Sequence, residues 1–500
     1  MTPVAERARA GLLPSGAAAK FLTVNVEQSS HAESPNGRLT LRHNYLSAIE
    51  NTAQTLGGMA PTGTLGIVLP LLIAAGGNAS WLFFSITLLA FSLILISINR
   101  FAAQSASAGA LATFAREGLG RGAELAAGWS YVAAMLFSAA SVAPSAAFYA
   151  DLVIKQATGA QTTVLRSCLL TAGVVALAWM IAYRDIKLST KIMLLVELGS
   201  LAVMVFIVAV AMIHTGAWVD RPQMEFRSMP LGGAHVALLL GFVTLAGFES
   251  VTTLGEESRH AKRTIPRAIV TCLVPMGLLY LAMIYCLVAL ARRNGIVLES
   301  LIAPFDTIAR SLRLPAVGYL SSAGVALSYF GCTLATVNAG ARVLFSMARD
   351  GLFAPKFGLA HPVNATPHRA IALISVAAIV GPVAMLAAGV SLWDCVNYGT
   401  QLTSFGFVGS YFVVCLALPF YLRRRGTLRA RDVAIAGGAL VILCAVLAFS
   451  VFPAPAAPWR YLPYIFLAFV ILGAAYSMTC RRKILSSAGV GANANRESSR

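Results

Sequence analysis

The chain has 500 residues, of which 58% are hydrophobic and 12% charged, with a formal net charge of +18 and a mean hydropathy of +0.75. A soluble domain carries about 25% charged residues, so these proportions exclude a water-soluble globular fold and point to a chain solvated mainly by lipid. The positive excess does not imply nucleic acid, because the basic residues sit in short loops between apolar runs and not on one soluble face.

The first stretch, Met1 to His43, is polar and mixed in charge. It has no apolar run leading to a small-residue cleavage site, so it is expected to be a disordered cytoplasmic tail and not a signal peptide. Beyond it, apolar segments long enough to cross a bilayer, at roughly 20 residues each, recur twelve times. They are expected at 46–75, 80–99, 123–153, 166–184, 188–214, 233–258, 267–291, 317–347, 369–389, 394–422, 432–452 and 461–480. If the N-terminus is inside, 28 of the 38 Lys and Arg residues fall in inside loops and 9 in outside loops, with Arg342 within a span. That bias places both termini in the cytoplasm, with the chain multi-pass in the cell membrane. The eight cysteines show no metal-binding spacing and read as small apolar residues.

Span one is interrupted. Its middle reads Gly57-Gly58-Met59-Ala60-Pro61-Thr62-Gly63, and Gly costs about 1 kcal/mol and Pro about 3 kcal/mol inside a helix. Broken backbone at membrane depth survives only where it is buried in protein or lines a cavity. Span six carries a second weak point at Thr244-Leu245-Ala246-Gly247-Phe248, followed at once by Glu249. Two spans five apart, both broken near their centres, point to two inverted halves with a site at the midplane.

Charged residues within spans are few: Lys191 and Glu197 in span five, Glu249 in span six and Arg342 in span eight, with Asp151 and Asp394 near outer ends. Glu249 lies eight residues before Glu257, on the order of 12 Å from the cytoplasmic end of a helix. A charge at the bilayer centre costs about 2.5–3.5 kcal/mol on the mildest scales, so Glu249 is expected to face the bundle interior or a wet cavity.

Three motifs in order on these spans resemble the amino acid–polyamine–organocation transporter superfamily over roughly residues 45 to 425. Gly247-Phe248-Glu249, the Glu256-Glu257 pair and Thr264-Ile265-Pro266-Arg267-Ala268-Ile269 resemble its sixth-span signature. Arg342 through Gly351, followed by Pro355, resembles its eighth-span signature, and Thr366-Pro367 before Ala370-Ile371 its entry to span nine. The chain departs from the pattern at Ala261, where the family carries proline, and at Ala108 to Phe114, where it shows paired glycines and tyrosines.

The resemblance implies an all-α membrane protein of about twelve transmembrane helices. Spans one to five and six to ten would form a 5+5 inverted repeat with discontinuous helices one and six, and two extra C-terminal helices would follow. The expected divisions are the tail at 1–43, a transporter core at 44–425, spans eleven and twelve within 426–480, and a cytoplasmic tail at 481–500. It also implies a zwitterion site. The substrate carboxylate would meet amide N–H groups of Gly57, Gly58, Met59, Ala60, Pro61, Thr62 and Gly63, less Pro61, which has none. The ammonium would meet carbonyls of Thr244, Leu245, Ala246 and Gly247, with Phe248 and Glu249 in support. Ser189-Thr190-Lys191 resembles the family's motif at the start of span five, where a lysine stands in place of bound sodium, so Lys191 is the expected proton-coupling residue.

The expected function is secondary active transport of amino acids by proton symport or exchange, with no cofactor, no metal and no nucleic-acid partner. Its partners are a small-molecule substrate and the bilayer. A polyamine or other organic amine carrier is the alternative, and it would want more anions in the cavity than Glu249. A polytopic membrane enzyme is less well supported, because the chain has no His-Glu-x-x-His, no Gly-x-Ser-x-Gly and no paired central aspartates. A two-times-six facilitator would need a longer connection than Ser258 to Pro266 between spans six and seven.

Overall fold

The structure is a computed structural model that describes residues 40–225, 233–293, 303–452 and 457–497. The expected N-terminal tail lies outside the described residues except for 40–43. Span one runs as Ala48–Met59, then Pro61–Gly63, a π-helical stretch Thr64–Val68 and Leu69–Gly76. The chain reverses at Gly77, with φ 50° and ψ −132°, and returns as span two, Ser80–Ala102. Spans three to five are Arg121–Thr158, Val164–Arg184 and Ile186–Thr215. Span six is Ala234–Leu245 followed by a 3₁₀ stretch, Phe248–Leu254. Spans seven to twelve are Ala261–Arg293, Pro315–Arg349, His368–Ala387, Leu392–Arg424, Ala430–Val451 and Leu462–Glu497.

Among the described residues, eleven helical stretches are long and apolar enough to cross a membrane. The first, Ala48–Ala102, is 55 residues, about 80 Å if straight, and divides at Gly77 into two spans. The expected twelve are therefore all present. Two short helices had no counterpart in the hydropathy pattern, Ala110–Leu119 before span three and Pro304–Ser311 before span eight. The C-terminal segment also differs: span twelve continues as helix to Glu497, where a tail was expected from 481. No proline between Arg481 and Glu497 stops it.

Local chemistry sets the span ends. Ser47 caps span one, its hydroxyl accepting from the Ile49 N–H at 3.2 Å while the Ser47 N–H donates to the Glu50 carboxylate at 2.8 Å. Thr163 and Ser391 cap spans four and ten in the same way. Burial then sorts the bundle. In the most apolar window of spans three and eight 72% of residues are buried, against 22% in spans four, eleven and twelve, so the former pair forms the core and the latter faces lipid.

Span three packs along spans eight and ten. The contact is close because small residues meet: a Cβ on Gly406 would lie 2.5 Å from the Ala134 backbone nitrogen. Spans eleven and twelve pack outside this core, against spans two, three and ten. All eight cysteines are free.

The inverted repeat shows in how the two broken spans meet. The half of span one nearest residue 47 packs on the Phe248–Leu254 half of span six. The other half, Leu69–Gly76, packs on Ala234–Leu245. The two chains therefore run in opposite directions through the same breaks. Below, the face that holds residues 40–47 is called the terminal face and the opposite one the far face.

Candidate functional site

Pro61 has no N–H to donate and disfavours right-handed helix at the residue before it. Ala60 accordingly sits at φ 44°, ψ 63°. Nine residues on, Pro70 repeats the defect, since it cannot donate to the Gly66 carbonyl. Tyr149 of span three does so instead, at 2.8 Å, and Tyr329 of span eight donates to the Gly63 carbonyl at 2.9 Å. The Gly63 and Gly66 carbonyls are thus both met by side chains from core spans.

Span six breaks at Ala246 (φ −64°, ψ 153°) and Gly247 (φ 94°). Gly247 needs its freedom twice over, for the positive φ and for space. A Cβ there would lie 2.4 Å from the Gly58 carbonyl oxygen, and a Cβ on Gly58 would lie 2.5 Å from that of Gly247. The two breaks therefore touch backbone to backbone.

The donors and acceptors at the breaks are unequal in availability. The Thr62 N–H donates to the Glu197 carboxylate of span five at 2.6 Å, and the Gly63 N–H to the Ser328 hydroxyl of span eight at 3.0 Å. The Ala60 and Thr64 N–H groups are held at 3.0 and 2.8 Å by the carbonyls of Leu56 and Ala60. In span six the Gly247 carbonyl accepts from the Ser250 N–H at 3.1 Å. The helix ends at Leu245 with its last carbonyls pointing past the break. Carbonyl acceptors are left at this centre, while the amide donors on the far-face side of the break are in use.

A cavity of about 90 Å³ adjoins the breaks and is lined by Gly58, Met59, Ala60 and Ala246. Its other walls carry the hydroxyls of Ser138, Ser141 and Ser145 on span three, Tyr329 on span eight, and Thr400 and Thr403 on span ten, with the Asn397 carboxamide beside them. Ser141 ties spans three and ten together, bonded to the Val396 carbonyl at 2.8 Å and to Thr400 at 2.7 Å. Among the described residues, no charged side chain lines the cavity. A second cavity of about 350 Å³ shares Leu240, Val243, Asn397 and Thr400 with the first and reaches His235 and Trp459 at the far-face ends of spans six and twelve.

On the terminal face the same core is closed. Arg342 of span eight and Glu257 form a two-pronged ion pair, with Nη2 to Oε1 at 3.1 Å, and the two side chains are only 1% and 2% exposed. Arg349 and Glu256 add a more exposed pair at 2.9 Å. The Glu257 carbonyl accepts from the N–H groups of Tyr45 and Leu46 at 2.7 and 2.9 Å. Ser258 bonds Asn51 at 2.7 Å, which in turn bonds Thr264 at 3.0 Å. These ties join the entry of span one to the loop after span six.

The expected site residues divide on this geometry. Gly58, Met59, Ala60 and Ala246 line the cavity. Gly57, Pro61, Thr62, Gly63, Thr244, Leu245, Gly247 and Phe248 build the breaks behind its surface. Glu249 is fully buried and accepts from the Tyr411 hydroxyl of span ten. Around Tyr411 stand the rings of Phe91, Phe242, Phe248 and Phe407, and Glu249 is not among the residues that line the cavity. Lys191 is exposed. The acid that does bear on the break is Glu197, six residues further along the same span. Sequence reasoning noted it as a charge in a span but gave it no partner. The hydroxyls of spans three and ten were missed altogether, because Ser and Thr are common in membrane helices and carry no distinguishing spacing.

A model of the amino acid permease family matches residues 51–480. The chain is 27% identical to an uncharacterized transporter of Mycobacterium tuberculosis, over 79% of this chain and 83% of that one. It is 23% identical to the methylthioribose transporter of Bacillus subtilis, over 77% and 82%. It is 24% identical to the branched-chain amino acid permease of the same organism, over 65% and 71%.

Proposed function

The chain belongs to the amino acid permease family, a family of transporters, and on that premise we propose that it carries a neutral amino acid across the cell membrane, by proton symport or exchange. The observation that carries this reading is the pair of abutting breaks at Gly58 and Gly247 beside a cavity with no charged side chain. A zwitterion has no net charge and needs dipoles more than ions. Its ammonium is met by the carbonyls at the end of the first half of span six, around Leu245 and Ala246. Its carboxylate is met on the Gly58–Gly63 stretch, and its side chain lies among spans three, six, eight and ten. Ser138, Ser141, Thr400 and Thr403 supply hydroxyls on that side.

The cycle is alternating access about these breaks. The conformation here is closed on the terminal face by Glu257 and Arg342, and the larger cavity supplies the approach from the far face. With the basic loops inside, the terminal face is the cytoplasmic one and the chain in this state receives solute from outside.

A second reading has its own support. The amides of Thr62 and Gly63 are already bonded to Glu197 and Ser328, which favours a solute without a carboxylate, an organic amine or a neutral polyol. A dication is disfavoured by the uncharged lining. Uptake of a panel of radiolabelled L-amino acids, putrescine and methylthioribose into proteoliposomes, with and without a proton gradient and sodium, separates the two. Accumulation of one or more neutral L-amino acids is expected. Uptake confined to solutes that lack a carboxylate would overturn the amino acid reading.

A further inference from the structure

We propose that Glu197 is the proton-carrying residue of the transport cycle, and that its protonation releases the break in span one. The proposal rests on the amino acid reading above and adds its coupling mechanism. Of the buried acids on spans five and six and in the loop that follows, Glu257 is matched by Arg342, and Glu249 accepts from the Tyr411 hydroxyl. The Glu197 carboxylate takes the Thr62 N–H at the break in span one. It does so across 135 residues of sequence, and the adjacent Gly63 N–H is held by span eight through Ser328. Spans one, five and eight are therefore pinned together at one point.

Among the described residues no cationic side chain pairs with Glu197. The titratable side chains that face it are Tyr280 of span seven and Tyr329 and Cys332 of span eight. Span one offers it backbone and the Thr62 side chain. On its own span Lys191 and His214 are exposed and Lys187 lies over the Tyr45 ring. A buried carboxylate in such a place is held by hydrogen bonds alone, and a proton is the one charge available to neutralise it. Tyr329 and Cys332 interact with Glu197 and also line the cavity, so the carboxylate and the cavity share these two neighbours.

The sequence of events is short. Water in the cavity delivers a proton to a Glu197 carboxylate oxygen, giving the neutral acid. The Thr62 N–H loses a charged acceptor for a neutral one, and bonds to ionised acceptors are roughly twice as strong. The amide then becomes available to the substrate carboxylate, and the break is free to move against spans five and eight. After the change of access the proton returns to water on the other side and Glu197 takes back the amide. Proton and substrate thus compete with the same tie, so each strengthens the binding of the other.

The test uses the full chain, purified and reconstituted, with the L-amino acid that gives the largest uptake in the panel described above. For the unaltered protein, substrate affinity should tighten as pH falls from 8 to 6, by up to about tenfold per pH unit for one linked proton. Binding in weakly buffered detergent solution should take up about one proton per substrate. The Glu197→Gln variant should bind with an affinity independent of pH and lose proton-driven accumulation. Retention of accumulation or of the pH profile by Glu197→Gln would overturn the proposal. So would proton-free binding by the unaltered protein, a measurement that needs no variant to fold. Loss of proton uptake in Glu249→Gln, with Glu197 intact, would also overturn it. An amino acid that is transported but binds without a proton sinks this inference and leaves the amino acid reading standing. Absence of amino acid uptake in the panel sinks that reading first.

Discussion

Gly58 and Gly247 each occupy space that the other's carbonyl oxygen would deny to a larger residue. Gly247→Ala faces both a 2.4 Å approach to the Gly58 carbonyl and a φ of 94°, and the left-handed region alone costs an L-residue about 1–2 kcal/mol. Uptake below a tenth of normal is expected, with a lowered midpoint of thermal unfolding in detergent. Gly437→Ala in span eleven, where a Cβ meets nothing within 4 Å, should leave both measurements unchanged. Equal effects from the two substitutions would mean that the contact between the breaks does not matter.

Glu249 shows a different residue-level constraint. Tyr411→Phe removes the hydroxyl that this buried carboxylate accepts from, and stranding such a group costs about 1–3 kcal/mol. Glu249→Gln keeps an acceptor for Tyr411, so it should express and unfold near normally, whereas Tyr411→Phe should lower the unfolding midpoint. A Glu249→Gln variant that is lost to aggregation would place the residue's importance in folding.

Between elements, the terminal-face closure rests on two ion pairs of unequal weight. Arg342–Glu257 is almost wholly buried, whereas Arg349–Glu256 is partly solvated. Removing one partner of a buried pair costs about 3–5 kcal/mol because the other charge is left unmatched, while an exposed pair contributes about 0–1 kcal/mol. Arg342→Met should therefore lower thermal stability sharply, Glu256→Gln hardly at all, and Arg342→Met with Glu257→Gln should recover much of the loss. A double-variant cycle by thermal unfolding measures this. Additive effects for Arg342 and Glu257 would contradict the coupling that their geometry requires. The hydrogen bonds from Tyr45 and Leu46 to Glu257 bring the entry of span one into the same closure, so opening this face means moving that segment as well.

At the scale of the whole molecule, the division of labour follows burial. Spans three and eight form the core, and spans eleven and twelve lie outside it against lipid, so exposed apolar side chains such as Leu472 and Val441 are solvated by the bilayer and imply no partner. The basic bias of the loops leads to a definite topology: a fluorescent protein fused to the C-terminus should glow in cells, and alkaline phosphatase fused there should be inactive. Active phosphatase at that position would reverse the assignment of faces and with it the direction of access. The twelve spans were legible from hydropathy to within a few residues at most ends, because lipid demands long uninterrupted apolar runs. Ala110–Leu119 and Pro304–Ser311 were not, being too short for that criterion.

The positions of the breaks were readable because proline and glycine act on their own backbone. Pro61 disrupts its own turn whatever surrounds it, and Gly247 permits a φ that other residues avoid. Partners could not be read the same way. Glu197 and Thr62 are 135 residues apart, and Glu257 and Arg342 are 85 apart, so no local pattern says which buried charge meets which group. Lys191 and Glu197 lie six residues apart on one helix, and only packing turns one outward and the other onto the break. Span count, inverted order and the two breaks follow from local chemistry acting along the chain. The occupied amides, the uncharged cavity and the closed terminal face follow from helices far apart in sequence being brought into contact.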